Sequence, residues 1–150
     1  MKKIFYYDTY AGRIGIAEED GAITHLIFSE RDWTVEETDL IKETKRQLDE
    51  YFAGKRTEFD VPLLFAGTDF QKTVWNALLN IPYGKTVSYA TLSQDLGKLK
   101  AIRAVAAANG ANSISILVPC HRVIGSNQKL VGYAGGLPAK QWLLDLESSG

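Results

Sequence analysis

The sequence predicts an α+β protein. A small N-terminal strand-helix domain precedes a mostly helical domain with a helix-turn-helix and a Pro-Cys-His-Arg motif. Three observations lead there. Apolar runs of strand length fill the first 30 residues, and helical spacing takes over after residue 36. The charge also changes sign: residues 1–67 carry 9 Lys and Arg against 14 Asp and Glu, and residues 68–150 carry 8 against 4. The domains are therefore expected at 1–67 and 68–150, divided at Ala66-Gly67.

Ile4-Phe5-Tyr6-Tyr7, Arg13-Ile14-Gly15-Ile16-Ala17 and Ile23-Thr24-His25-Leu26-Ile27-Phe28 read as strands. Asp20-Gly21 between the last two favours a tight hairpin turn, because both central residues of that turn need positive φ. Ile41, Leu48, Tyr51 and Phe52 fall on one helical face, and Ala53-Gly54 ends that helix. A further short strand is expected through Phe59 and Val61, stopped by Pro62. His25 lies in a strand pattern and reads as an ordinary packed or surface histidine.

Thr68-Asp69-Phe70-Gln71 is a capping box, and Phe70, Val74, Ala77, Leu78 and Ile81 continue one face of a helix to about Asn80. Pro82-Tyr83-Gly84 makes a turn. Ser88 can cap a second helix that stops at Gly97, and an Ala-rich third helix runs from near Lys100 to Asn109-Gly110. Two helices joined through a glycine form a helix-turn-helix pattern, which two core helices would also produce. The small side chains of Ala104, Ala106, Ala107 and Ala108 permit close approach, either to a neighbouring helix or to a DNA groove. Arg103 is the one long cation at the start of this run. It is either a solvent-exposed side chain or a group able to enter a base stack.

Composition narrows the function classes. Apolar residues make up 45 % and charged residues 23 %, ordinary globular values that argue against disorder. No apolar run approaches the roughly 20 residues of a membrane helix, and the N-terminus has no secretory pattern. A soluble cytoplasmic protein, with no membrane partner, is expected. One cysteine, Cys120, excludes an internal disulfide and a Cys-pair zinc site, and two histidines exclude a His-rich metal site. Over 70–129, Lys72, Lys85, Lys98, Lys100, Arg103, Arg122 and Lys129 face only Asp95, so this half could meet a phosphate backbone.

Ile116-Leu117-Val118 is fit for burial and runs into Pro119-Cys120-His121-Arg122-Val123. A lone cysteine is more often a small hydrophobe than a nucleophile. Here Pro119 stiffens the backbone, His121 can relay a proton, and Arg122 with the local positive surplus should favour thiolate. Nucleophilic chemistry follows, with hydrolysis, alkyl transfer and redox sensing all open.

The segment resembles the active-site signature of the O6-alkylguanine-DNA alkyltransferases. The resemblance extends through Thr68-Asp69-Phe70-Gln71, Val74-Trp75, Ile81-Pro82-Tyr83-Gly84, Ser88-Tyr89, Arg103-Ala104-Val105, Asn112, Gly132-Tyr133-Ala134-Gly135-Gly136 and Leu143-Leu144. Nearly all of 68–147 is covered, in order. The resemblance implies stoichiometric, irreversible transfer of an alkyl group from O6-alkylguanine in double-stranded DNA to Cys120, with O4-alkylthymine a second candidate. Attack on a saturated carbon suits a soft thiolate. The resemblance also implies that His121 and Glu147 relay the cysteine proton through a water, and that Tyr89 protonates the departing base and helps extrude it. Arg103 would fill the vacated stack, with Ala101 and Ala104 beside it in the minor groove. Tyr133 would cover the base, backbone groups of Cys120, Val123 and Ala134 would bind its edge, and Asn112 would brace the loop. No cofactor or metal is expected, and the chain should act as a monomer.

Some positions depart from the family pattern. Ser113 and Ser115 stand where members often have proline, which predicts a less rigid loop. Asn127-Gln128 replaces an Asp-Gly or similar turn, and Ala134 replaces a serine found in some members. Readings from other classes are a non-enzymatic binder of alkylated DNA, a redox-sensing helix-turn-helix regulator and a cysteine hydrolase. Cys120 itself argues against the first. Tyr89 and Tyr133-Ala134-Gly135-Gly136 are unexplained by the second, and turnover is required of the third.

Overall fold

The computed structural model describes residues 1–125 and 132–149. Strands β1 (Lys3–Thr9), β2 (Gly12–Glu19), β3 (Ala22–Ile27) and β4 (Thr34–Val35) form one sheet in the order β3-β2-β1-β4. The β1-β2 and β2-β3 pairs are antiparallel, whereas β4, which the sequence did not announce, lies parallel to β1. At the β2-β3 turn Asp20 has φ 54° and Gly21 has φ 78°, the positive pair expected for a two-residue hairpin. Helix α1 (Asp39–Phe52) is capped by Thr38, whose side chain accepts from the Ile41 N–H. Its Ile41, Leu48 and Tyr51 are fully buried against the sheet.

The strand expected through Phe59 and Val61 does not form. The Gln47 side chain takes both backbone groups of Asp60 instead: Gln47 Nε2 donates to its carbonyl at 3.1 Å, and its N–H donates to Gln47 Oε1 at 2.8 Å. Pairing resumes only beyond that clamp, where the Ile23 N–H donates to Pro62 O (2.8 Å) and the Leu64 N–H to Ile23 O (2.9 Å). A side-chain amide thus replaces the ladder that a strand would have used.

Helix α2 (Asp69–Leu78) starts in the complete capping box of Thr68 and Gln71. Pro82-Tyr83-Gly84-Lys85 closes with the Lys85 N–H on Pro82 O and Gly84 at φ 77°, the geometry of a type II turn. Strand β5 (Val87–Ser88) leads into α3 (Tyr89–Asp95), capped by Ser88. Gly97 at φ 68° ends α3, with its N–H on Gln94 O and the Lys98 N–H on Ser93 O, which is a Schellman stop. The third helix starts slightly later than expected: Leu99–Ala101 is a tight 3-10 turn, and α4 occupies Ile102–Gly110. Trp75 Nε1 on α2 donates to Ala108 O (2.8 Å) and fixes α4 against the body.

Beyond α4 the chain returns to the first sheet. Leu26 on β3 donates its N–H to Ser113 O (2.9 Å) and accepts the Ser115 N–H (3.1 Å). A proline at 115 could not make the second bond, so the serine expected to loosen this loop supplies a tether there. Strand β6 (Val123–Ile124) then pairs in parallel with β5, and α5 (Leu137–Ser149) closes the fold. Buried residues on both sides of Ala66-Gly67 belong to one hydrophobic core, from Ile14 and Leu48 to Leu78, Val118 and Leu143. Among the described residues no helix is long and apolar enough to cross a membrane. Asn127-Gln128 lies outside the described residues.

Candidate active site

Two tight turns present the cysteine. The Leu117 N–H donates to Ser115 O across Ile116, whose φ of 70° is unusual for a β-branched residue. The Cys120 N–H then donates to Val118 O across Pro119, at φ −80° and ψ 62°, an inverse γ-turn that the pyrrolidine ring favours. Asn112 braces both. Its Oδ1 accepts the Ile114 N–H (3.0 Å) while Nδ2 donates to Val118 O (3.0 Å) and Ile114 O (3.4 Å).

Cys120 is buried and forms part of the wall of a cavity of about 610 Å³, within the usual range for a small-molecule site. Tyr89, Arg103, Tyr133 and Ala134 line the same cavity, together with Ala106 and Asn109, which the sequence reading had not placed there. Arg103, Ala104 and Ala107 are exposed on α4, whereas Ala108 is buried and Ala106 half-buried toward the cavity. Ala101 is half-buried in the turn before α4. Val123 is not on the cavity wall. It is fully buried in β6, where its carbonyl accepts Lys140 Nζ at 2.8 Å.

Burial pushes the Cys120 thiol up, opposed by Asn112, the Lys140 charge and Ser115. Cys120 therefore rests as a thiol, which corrects the expectation that Arg122 favours thiolate. The Arg122 guanidinium is committed elsewhere: Nε donates to Glu147 Oε1 (2.8 Å), Nη2 to Glu147 Oε2 (3.0 Å) and Nη1 to Ile81 O (2.6 Å). The cation that acts on the thiol is Lys140, in the α5 face that buries Ala139 and Leu143.

His121 follows at zero exposure, with Nε2 2.7 Å from Glu147 Oε2. Burial pushes its pKa down, against the pull of Glu147, so the imidazole is neutral, with Nε2–H donating to the carboxylate. Burial raises the Glu147 pKa, but hydrogen bonds from His121 and Arg122 outweigh it and hold the carboxyl at about 2. His121 Nδ1 has no hydrogen-bond partner among the described residues, nor does the buried Tyr133 hydroxyl or Asn109 Oδ1. Tyr133 and Asn109 line the cavity, where their oxygens can meet a polar guest, whereas His121 is not on its wall. Tyr89 is half-buried, and burial raises its pKa, which keeps its hydroxyl protonated.

A family model described as "6-O-methylguanine DNA methyltransferase, DNA binding domain" matches residues 69–149, and one for the ribonuclease-like domain of the same methyltransferase matches 3–65. The chain belongs to the 6-O-methylguanine DNA methyltransferase family. The methylated-DNA–protein-cysteine methyltransferase of Methanosarcina barkeri is 45% identical over 155 residues, covering 96% of this chain and 98% of its own. The constitutive Bacillus subtilis relative is 48% identical over 151 residues, covering 93% and 92%. A crystal structure of the Mycobacterium tuberculosis OGT in complex with DNA superposes with a TM-score of 0.91 at 45% identity, over 98% of this chain and 93% of that one.

Within this methyltransferase chain the N-terminal half reaches the site at places the sequence reading missed. Tyr51 on α1 donates to Glu147 Oε2 at 2.5 Å. Phe28, just past β3, packs edge-on against Tyr133, with ring centroids 5.7 Å apart. Tyr51 falls on the apolar face of α1 by its spacing, and only its hydroxyl hints at a polar partner. His25 stays outside this chemistry, edge-on to Trp33 at 4.7 Å and pushed down to about 4 by burial and by the charges of Lys2 and Arg31.

Proposed function

We propose that the chain repairs double-stranded DNA by moving the alkyl group of O6-alkylguanine onto Cys120, once per molecule and irreversibly. The observation that carries this reading is one cavity shared by a buried thiol, an α4 arginine at an exposed position and two tyrosines, with the residue after the thiol a buried neutral histidine bonded to a carboxylate. A stacked base cannot bring its O6 substituent to a buried sulfur, so the nucleotide must leave the helix. Arg103 takes its place in the stack, while Ala101 and Ala104 allow α4 to approach the minor groove. Unstacking costs a few kcal/mol, which contacts in the cavity offset.

The transfer balances without an outside reagent. The Cys120 proton passes to His121 Nδ1, directly or through a water, and Glu147 stabilises the imidazolium. The sulfur forms a bond to the alkyl carbon as the carbon–O6 bond breaks. Its electron pair stays with the guanine, which takes a ring-nitrogen proton from Tyr89, and the proton held by His121 returns the tyrosine to its resting form. Tyr133 covers the base, and backbone groups of Cys120 and Ala134 meet its edge. The product is a thioether, a poor leaving group, so no turnover follows. O4-alkylthymine carries the same exocyclic O-alkyl linkage and is a second substrate to test. In this reading residues 1–67 support the site, residues 68–150 bind DNA and accept the alkyl group, and one copy suffices.

The deciding experiment is intact-mass analysis after incubation with an oligonucleotide containing O6-methylguanine. The expected result is a gain of one CH2, mapped to Cys120 and saturating at one equivalent. Tight binding without a mass gain would instead make the chain a damage-recognition protein.

A further inference from the structure

We infer that Tyr51 is a positioning residue for the transfer reaction: its hydroxyl reaches from the N-terminal half to Glu147 Oε2 and governs how readily His121 takes the cysteine proton. This rests on the proposed Cys120-His121-Glu147 chemistry and adds the group that sets its strength. Oε2 accepts from Tyr51 (2.5 Å), His121 Nε2 (2.7 Å) and Arg122 Nη2 (3.0 Å), while Oε1 accepts from Arg122 Nε (2.8 Å) and the Gly84 N–H (3.3 Å). Tyr51 and His121 therefore share one oxygen. A second donor on an oxygen draws off charge that the first would otherwise feel, so the tyrosine tempers the basicity that Glu147 lends to His121.

Tyr51 is suited to that task. Its ring is fully buried among Phe52, Phe59 and Tyr83, which fix its direction through apolar contact. Burial and the Glu147 charge both push its pKa far upward, so the hydroxyl remains a donor at every working pH. The other titratable groups acting on the couple are Arg122, Tyr83, Lys140 and Tyr133, and Cys120 precedes His121 in the chain. Replacing Tyr51 by phenylalanine removes none of them.

The sign follows from the geometry. Without the hydroxyl, Oε2 is more basic, the imidazolium is better stabilised, and His121 becomes protonated at higher pH. Protonated His121 cannot accept from the thiol, so the acid limb of the rate profile marks its titration.

The test is single-turnover methyl transfer to Cys120 on saturating O6-methylguanine duplex, followed by mass from pH 5 to 9. Tyr51→Phe should move the acid limb up by about half a pH unit. The full-length chain with 3-fluorotyrosine at 51 alone keeps the shape, donates more strongly and should move the limb down; this arm stands even if Tyr51→Phe fails to fold. An unchanged midpoint in the folded variants, with only a lower amplitude or melting temperature, would overturn the role and leave Tyr51 as packing. Failure of the unsubstituted chain to gain a methyl group at any pH would instead refute the underlying transfer reading.

Discussion

Replacing Glu147 by glutamine probes the buried network directly. Glu147 is 4 % exposed, and its carboxylate is gripped by Arg122 through two nitrogens. Removing one partner of such a pair leaves a buried guanidinium uncompensated, which costs about 3–5 kcal/mol. The pH dependence is more diagnostic. With burial outweighed by its hydrogen bonds, the folded-state carboxyl sits at about 2 against an ordinary 4.5, and that depression favours the fold by about 3 kcal/mol at neutral pH. Because the folded value lies below the unfolded one, the contribution is whole above pH 4.5 and fades as pH falls toward 2. At pH 3 less than half of it remains. Urea unfolding of the parent and Glu147→Gln at pH 7 and pH 3 should therefore show a stability gap that narrows by about 2 kcal/mol in acid. A gap of equal size at both pH values would refute the reasoning, since Glu147 would then not be held ionised by its neighbours.

Cys120→Ala should abolish methyl transfer while leaving affinity for O6-methylguanine duplex within about threefold, a change of under 1 kcal/mol; gel shift and intact mass check this, and any transfer by the variant removes Cys120 as nucleophile. Arg103→Ala should slow the reaction on duplex at least tenfold more than on the free base, and equal slowing on the two substrates would end the case for stack insertion. Gly135→Ala places a Cβ 2.8 Å from Phe28 Cζ, forcing the ring away from Tyr133. It should cost about 1–3 kcal/mol in stability and lower the transfer rate, and adding Phe28→Ala should recover part of the stability.

Local chemistry made parts of this structure legible in advance. Thr68 and Gln71 are three residues apart and answer each other across a single turn, while Asp20-Gly21 needs only its own two φ angles. Cys120 and His121 are neighbours in the chain, so their proximity required no fold. The Tyr51-Glu147 bond joins residues 96 apart, and the Lys140-Val123 bond depends on α5 packing beneath β6. Nothing local marks either. Arg122 lies two residues from the thiol in sequence, yet its partner in space is Glu147. The strand expected at Phe59-Val61 failed for a related reason, since Gln47, on another element, took the Asp60 backbone.

Leu26 commits both of its backbone groups to Ser113 and Ser115, and this constrains how the cavity can adapt. The sulfur side of the chamber is riveted to the edge of the first sheet, so a larger alkyl group cannot push it back without peeling a strand pairing apart. The Tyr133 to Gly136 loop has no such strand pairing and is held through ring contacts of Tyr133 with Phe28 and His121, at centroid distances of 5.7 and 6.4 Å. A larger alkyl group is therefore expected to be accommodated by displacing that loop, which has no share in the bond-making step, rather than the sulfur.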